Sequence, residues 1–417
     1  APAPAPVQAP PAAPTVVPGQ KAPAPGQDPI APLPPTEDAP AVEELPPPHW
    51  SPANAMELLA YINSIHQEGL DPFDYDPAGL TLAMRSGDPM ALAKAATERF
   101  NRVSSDLAFG HVRGEDRQGW YVVDKDLDDA RQRQMLEAAL ATNRVAAVLQ
   151  SLLPTHPQYS FLKTALVVTA KTDTAKVNRI RLNMDRWRWL PRDLGDKYII
   201  VNVPAFYATL VENGQSRWNQ RAIAGATKTP TPQLSAMATG VILNPWWEVP
   251  KSIEGEVRGK AGFVSVKGKD GKVQRWRQPP GPTNALGQMK MVVPNQWAIY
   301  LHDTNARSRF NSQVRALSHG CIRTQKIHDL AAELGSDDGG EWTREKIDEV
   351  LASKKTVEAK FVKPVPVYIV YFSSAALNDG RIVDYQDLYK RDAKVLQALV
   401  DRKPAVPAKA ETKTAAK

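Results

Sequence analysis

Cysteine is almost absent from this chain: Cys321 stands alone among 417 residues. A lone cysteine excludes an internal disulfide and leaves three readings: an inert buried thiol, an intermolecular link or a nucleophile. It does not fix a redox compartment, although with nothing to mispair with it is compatible with an oxidising one. Histidine is scarce too, with seven in all. Nowhere do eighteen apolar residues run together, so no transmembrane helix is expected. No zinc-finger spacing, RNA-recognition signature or basic heptad accompanies the positive charge, which sets nucleic acid aside as a partner. The chain opens Ala-Pro-Ala-Pro, without a charged and then apolar leader, and reads as a mature export product or a trimmed form.

What is present is unevenly spread. The net charge is +7, but residues 1–48 carry one Lys against five Asp and Glu. The stretch 402–417 carries five basic residues against one acidic. A basic body suits an acidic polymer such as peptidoglycan, or simply serves solubility. Residues 1–48 also hold seventeen of the thirty-seven prolines. Ala-Pro repeats cannot bury a core and favour extended conformations, so 1–48 is expected to be a disordered, semi-stiff linker. Residues 401–417 are expected to be a disordered basic tail.

Between these ends the hydrophobic period changes once. Ser51-Pro52 reads as a helix cap and first turn, and Ala55, Leu58, Leu59, Ile62 and Ile65 share one helical face. Further helices are expected at about 89–109, 127–153 and 159–166, and another at 174–190. Arg186-Trp187-Arg188-Trp189 in the last is expected to bury its tryptophans while the arginines reach for solvent. His66, His111 and His156 share no spacing and read as surface or packing residues. From about residue 198 the period is two. Strands are expected at 198–203, 206–212, 218–223, 240–243, 263–266, 273–277, 288–293, 297–301, 365–372 and 381–383, with short helices at 325–334 and 345–352. The fold expected is α+β: a helical region at 49–175, then a mainly β domain at 176–400. The stretch 244–287, rich in Gly, Pro, Trp and Lys, is long for a connecting loop and is expected to be functional.

The chemistry gathers around the cysteine. The chain runs Tyr300-Leu301-His302-Asp303-Thr304 and later Ser318-His319-Gly320-Cys321-Ile322-Arg323. A thiol nucleophile needs a base and backbone N–H groups for an oxyanion, and this stretch can supply both. A zinc site from His302, His319 and Cys321 is the competing constellation, but a third or fourth ligand at the usual spacing is missing.

The pattern of His302 followed by Ser318-His319-Gly320-Cys321 resembles the signature of the L,D-transpeptidase (YkuD-like) catalytic domain. Three flanks resemble more narrowly the YcbB-like branch: Asn244-Pro245-Trp246-Trp247-Glu248-Val249-Pro250, Gly281-Pro282-Thr283-Asn284-Ala285-Leu286-Gly287, and Tyr300 to Thr304. The resemblance implies a helical scaffold domain followed by the catalytic domain, with 244–287 capping the active site. It implies no metal or cofactor. It also implies peptide exchange on peptidoglycan stem peptides, donor and acceptor, by an exported, periplasmic protein expected to be a monomer. His302 would take the Cys321 proton and lower the effective thiol pKa, and a thioester would form on Cys321. Gly320 and Cys321 would present oxyanion N–H groups. Ser318, His319 and Asp303 would line the site, Asp303 through its backbone carbonyl. Tyr300, Arg323 and Trp246 would contact substrate, Arg323 as a clamp on a stem carboxylate. The linkage, 3-3 or 1-3, stays open. So do a thiol hydrolase trimming stem peptides and the attachment of a protein to the wall. The sequence departs from the branch in one respect. Only residues 167–175 separate the scaffold from the next helix, too few for the peptidoglycan-binding module that its members often carry there.

Overall fold

The computed structural model describes residues 48–123, 126–377 and 379–401. The expected spacer and basic tail lie outside the described residues, apart from residues 48 and 401. No described helix is long and apolar enough to cross a membrane.

The first part is helical: α1 (Pro52–Ser64), α2 (Pro77–Arg85), α3 (Pro89–Phe109), α4 (Asp129–Thr142), α5 (Val145–Gln150), α6 (Pro157–Val168) and α7 (Thr174–Trp187). The caps follow the sequence. Ser51 accepts from the Asn54 N–H at 3.1 Å with Pro52 in the first turn, and Asp88 accepts from Met90 at 2.8 Å ahead of Pro89. The single helix expected at 127–153 is two. Asn143 adopts a left-handed conformation (φ 52°), and the Arg144 N–H turns back to the Ala139 carbonyl at 3.0 Å. The carboxylate of Glu57, from α1, then accepts from the Val145 and Ala146 N–H groups at 3.1 and 3.0 Å and starts α5. Asparagine tolerates that conformation and so can end a helix, but the Glu57 cap is a tertiary contact that no local pattern reveals.

The second part has β1 (Lys197–Asn202), β2 (Tyr207–Glu212), β3 (Gln215–Gly225), β4 (Leu234–Leu243), β5 (Trp247–Glu248), α8 (Glu254–Val257), β6 (Val264–Lys267), β7 (Val273–Gln278), β8 (Met289–Val292), β9 (Leu301–His302), β10 (Ala316–Ser318) and β11 (Ile322–Thr324). It continues through α9 (Ile327–Ser336), α10 (Arg344–Ser353), β12 (Val357–Val370), β13 (Ser374–Ala376), β14 (Ile382–Asp384) and α11 (Asp392–Val400). The main sheet runs β10-β3-β11-β9-β8-β4-β12-β1-β2, and β2 also pairs with β3. The sheet therefore closes into a barrel through β2 and β3, with β10 added outside the closure on β3. Strand alternation divides the core. Ile199 and Val201 of β1 point into the barrel with Leu210, Val241, Met289, Met291, Leu301 and Ile322. Tyr198 of the same strand faces the helices with Val211, Tyr368, Val370 and Phe372. The helical part thus packs on the outer face of β1, β2 and β12. A helix-plus-β architecture of this order is the α+β fold expected.

One expectation needs correction. Trp187 and Trp189 are buried as expected, but Arg186 and Arg188 are buried with them at 1% exposure instead of reaching solvent. Each has a carboxylate to hold it: Arg186 to Asp392 of α11 at 2.8 Å, Arg188 to Asp185 at 3.4 Å. The stretch 244–287 carries the strands expected at 263–266 and 273–277, as β6 and β7. It contains a three-stranded sheet, β5-β7-β6, and a small core of its own in which Val249, Ile253 and Val257 pack with Trp247, Phe263 and Trp276.

Candidate active site

β9 and β11 are parallel neighbours, with Leu301 opposite Ile322 and His302 opposite Arg323. Side chains two apart on a strand share a face. Tyr300, His302, Cys321 and Arg323 therefore converge on one face, while Leu301 and Ile322 point into the barrel. β8 adds a fifth member, because Lys290 is the register partner of His302 from the other side.

The Ser318-to-Cys321 turn is held at every carbonyl but one. Ser318 Oγ accepts from the Gly320 N–H at 3.1 Å and donates to the Cys321 carbonyl at 2.6 Å. The Ser318 carbonyl accepts from Ala226 at 2.8 Å and from Thr229 Oγ1 at 3.0 Å. Thr231 Oγ1 donates to the Gly320 carbonyl at 2.7 Å. Gly320 has φ 119°, a region that side chains rarely adopt, and a Cβ there would also press on Ile299. One expectation changes here. The Gly320 N–H, expected to face an oxyanion, is engaged by Ser318 Oγ because the serine closes its own turn. The Cys321 N–H has no acceptor among the described residues.

Cys321 is half-buried, and its Sγ lies 3.6 Å from the Ala298 carbonyl. Ala298 is itself in the left-handed region at φ 52°, which is strained for alanine. Asn295 holds that loop in place. Its amide donates to the Val293 and Ile299 carbonyls, both at 2.7 Å, and accepts from the Trp297 and Ile299 N–H groups at 3.2 and 3.1 Å. The helical part reaches this loop. Tyr121 donates its N–H to the Gln233 carbonyl at 2.7 Å and packs its ring 4.8 Å from that of Trp297.

The electrostatics differ from expectation. Burial pushes the Cys321 thiol up; hydrogen bonds from the Tyr300 backbone and hydroxyl, and the Lys290 and Arg323 charges, oppose that only in part. Burial, reinforced by the Arg323 charge, pushes His302 down to about 3, against a hydrogen bond that the ring donates to the Asp303 backbone carbonyl. The resting pair is a neutral thiol and a neutral imidazole, not the lowered thiol pKa expected. Desolvation disfavours both charged forms, while the two cations favour the thiolate and disfavour the imidazolium. His302 Nδ1 is buried without a hydrogen-bond partner. The Asp303 carboxylate is occupied elsewhere, accepting from Gln288 at 3.0 Å and Arg307 at 2.9 Å. Gly287 is packed so close that a Cβ there would meet the Asp303 carboxylate at 2.4 Å.

The other expected residues divide. His319 is half-exposed and lies with Nε2 3.3 Å from Glu256 of α8, so it contacts the 244–287 insertion. Trp246 does not join the face: Arg277 covers its ring at 4.0 Å. Its neighbour Trp247 does, through a hydrogen bond to the Tyr300 side chain. Trp247 opens β5 and Trp246 stands just before it, so the sheet fixes the place of the second tryptophan only. Sequence reasoning missed Trp247 and Lys290, as well as the threonines of the 226–231 loop. The Trp246-Trp247 pair was visible but its register was not, and Lys290 carries no local signal.

Residues 196–357 match the model of the L,D-transpeptidase (YkuD) catalytic domain, and residues 46–166 match that of the Scaffold domain. The chain thus carries a catalytic domain of the YkuD L,D-transpeptidase family behind a Scaffold domain. A Haemophilus influenzae protein bearing the provisional name of L,D-transpeptidase is 28% identical over 286 residues, covering 62% of this chain and 57% of that protein. The chain therefore spans little more than half the length of that relative. Among solved structures, a cysteine-to-serine mutant of the Enterococcus faecium L,D-transpeptidase shows 15% identity, covers 43% of this chain and 52% of that one, and has a TM-score of 0.23. The L,D-transpeptidase from Mycobacterium smegmatis shows 16% identity, 42% and 58% coverage and the same TM-score of 0.23. Structural likenesses this low say nothing about the chemistry of the site.

Proposed function

We propose that this chain is a peptidoglycan L,D-transpeptidase that works through a thioester on Cys321. The observation that carries the reading is the shared face of Tyr300, His302, Cys321 and Arg323 on β9 and β11, inside the stretch that matches the catalytic-domain family. In this reading Cys321 Sγ attacks the carbonyl between the L-centre of a diamino acid and the terminal D-Ala. The thiol proton passes to His302 Nδ1, the buried nitrogen without a partner, as carbon–sulfur bond formation begins. The imidazole is unprotonated at neutral pH and so has the site open, and its basicity must rise as the donor binds for the transfer to proceed. The Cys321 N–H is the oxyanion donor free to act, and the Tyr300 hydroxyl hydrogen-bonds the sulfur. The C–N bond then breaks, D-Ala leaves as the amine with the proton from His302, and the acyl group stays on sulfur. An amine of a second stem attacks the thioester, His302 takes its proton, and the thiol is restored as the cross-link forms. Asp303 orients the imidazole through its backbone, and Arg323 holds a stem carboxylate.

The reading places a scaffold unit at 49–175, the catalytic unit at 176–400 and a lid at 244–287, in an exported protein of the periplasmic wall that acts as a monomer. The lid role is supported by two contacts, His319 with Glu256 and Trp247 with Tyr300. The test is mass spectrometry of muropeptides made by the purified protein, beside intact mass of the protein after a carbapenem. A covalent adduct on the parent and none on Cys321→Ala, together with dimeric muropeptides, is expected. An adduct that persists on Cys321→Ala sinks the nucleophile assignment. Trimmed monomers without dimers would instead mark a hydrolase, and the dimers formed would identify the linkage.

A further inference from the structure

The face around Cys321 carries two cations, and among the described residues no carboxylate pairs with either. Lys290 and Arg323 are both register partners of His302, one from β8 and the other from β11, so they flank the imidazole on the same face. The Lys290 Nζ rests 4.2 Å from the centre of the Tyr300 ring, and burial lowers its pKa. Arg323 Nε is buried without a hydrogen-bond partner. The carboxylates closest to hand are committed. Glu248, whose charge acts on Lys290, pairs with Arg275 at 3.0 Å. Asp303 pairs with Arg307 at 2.9 Å. Desolvated cations without counter-charges are unfavourable and persist where a ligand supplies the charge. An ammonium held by a ring face is held weakly enough to be released to an anion.

We propose that Lys290 acts with Arg323 as a two-cation recess beside Cys321 that binds the carboxylate of the residue leaving the acyl donor. The inference rests on the transpeptidase reading for the identity of the donor. It adds Lys290 to the site and gives it a selective task. A donor whose carboxylate lies one residue beyond the scissile carbonyl fits; one lacking that charge does not. The bound carboxylate also offsets the two cations that disfavour protonation of His302, so an anionic donor strengthens the base it is about to use.

Binding and turnover separate the two readings. With the Cys321→Ala protein, calorimetry compares a stem tetrapeptide ending in D-Ala with the same peptide as its C-terminal carboxamide. The carboxylate form is expected to bind tighter by about tenfold or more. Adding Lys290→Ala should remove about tenfold of that affinity and leave the carboxamide within about twofold. Lys290→Arg should restore most of the preference, and Lys290→Met keeps the packing on Tyr300 should the alanine variant fold poorly. With Cys321 intact, the loss should fall on KM more than on kcat. Equal weakening of both peptides, or no change with the carboxylate form, overturns the recess. Thioester formation at equal rates from the two donors overturns the recess and leaves the transpeptidase reading standing. Charge-selective binding without any thioester on the parent protein overturns the transpeptidase reading and leaves the recess.

Discussion

The junction between the helical part and the barrel buries cations, the face around Cys321 half-buries them, and the two treat them in opposite ways. At the junction both arginines of the Arg186-to-Trp189 run meet a carboxylate of the protein itself. Arg186 meets Asp392, and Arg188 meets Asp185 and the Tyr159 hydroxyl, the last at 2.6 Å. Asp185 also accepts from the His111 and Val112 N–H groups at 2.7 and 3.1 Å and from the Trp189 indole at 3.0 Å. Around Cys321, Lys290 and Arg323 have no carboxylate, His302 Nδ1 has no partner, and Ala298 is strained. The first arrangement sets each of these arginines against a carboxylate supplied by the chain itself. The second leaves interactions unmade, as a site does when its missing partner is a ligand. The same residue types, arginine among them, therefore speak for stability in one place and for function in the other. Only the pairing distinguishes them.

The sharpest break in that comparison is chemical. His302→Ala should slow acylation of Cys321 by about a thousandfold, within the range of general-base losses. His319→Ala should lower it by less than about tenfold, because His319 meets only Glu256 of the insertion. Stopped-flow acylation by a carbapenem measures both, and the reverse ranking would mean that the wrong base has been named.

The next effect is on stability. Arg188→Ala leaves Asp185 buried without its cation and should lower unfolding free energy by about 3–5 kcal/mol. Arg323→Ala, which orphans no carboxylate, should leave stability unchanged within about 1 kcal/mol or raise it. Urea midpoints of the two variants check this; similar losses would erase the distinction between joint and site.

Third comes pH. Burial against Trp187, whose ring lies 4.4 Å away, pushes His156 from 6.5 down to about 4. Between those values the unfolded chain binds a proton that the folded one does not. The stabilising contribution is therefore present above pH 6.5 and lost as the pH falls towards about 4. It amounts to about 3 kcal/mol. His156→Phe keeps the stacking and should flatten the urea midpoint across that window; an unchanged slope would show that this histidine is not responsible.

The smallest effect concerns the insertion. Replacing residues 255–275 with a short Gly linker removes Glu256 and part of the small core but leaves Trp247. Acylation by a small donor should persist, while the ratio of hydrolysis to amine transfer should rise by a few fold, about 1 kcal/mol in partition. Product analysis with a fixed amine acceptor reads the ratio directly. An unchanged partition would show that the segment is no lid.

The sequence was legible where the signal is local. The Ser51 cap, the change of period near residue 198, the Ser318-to-Cys321 turn and its distance from His302 all follow from neighbours along the chain. The longer spans of β4 and β12 were missed because their ends are set by pairing with each other, and α11 was missed because its place is set by packing on the helical part. The fate of the Arg186-to-Trp189 run was half-read: aromatic spacing predicts burial, but whether the arginines follow depends on carboxylates elsewhere, Asp392 among them.

The sequence by itself determined the class of fold, the lone thiol, the histidine that accompanies it and the glycine that lets the turn form, because each is written in residue identity and short-range geometry. Tertiary structure decided which groups are charged and which are free. Pairing β8, β9 and β11 sets Lys290, His302 and Arg323 side by side. Burial then fixes the imidazole as neutral, and Ser318 takes the Gly320 N–H out of play. These are properties of distance and desolvation between residues far apart in the chain, and no spacing along it contains them.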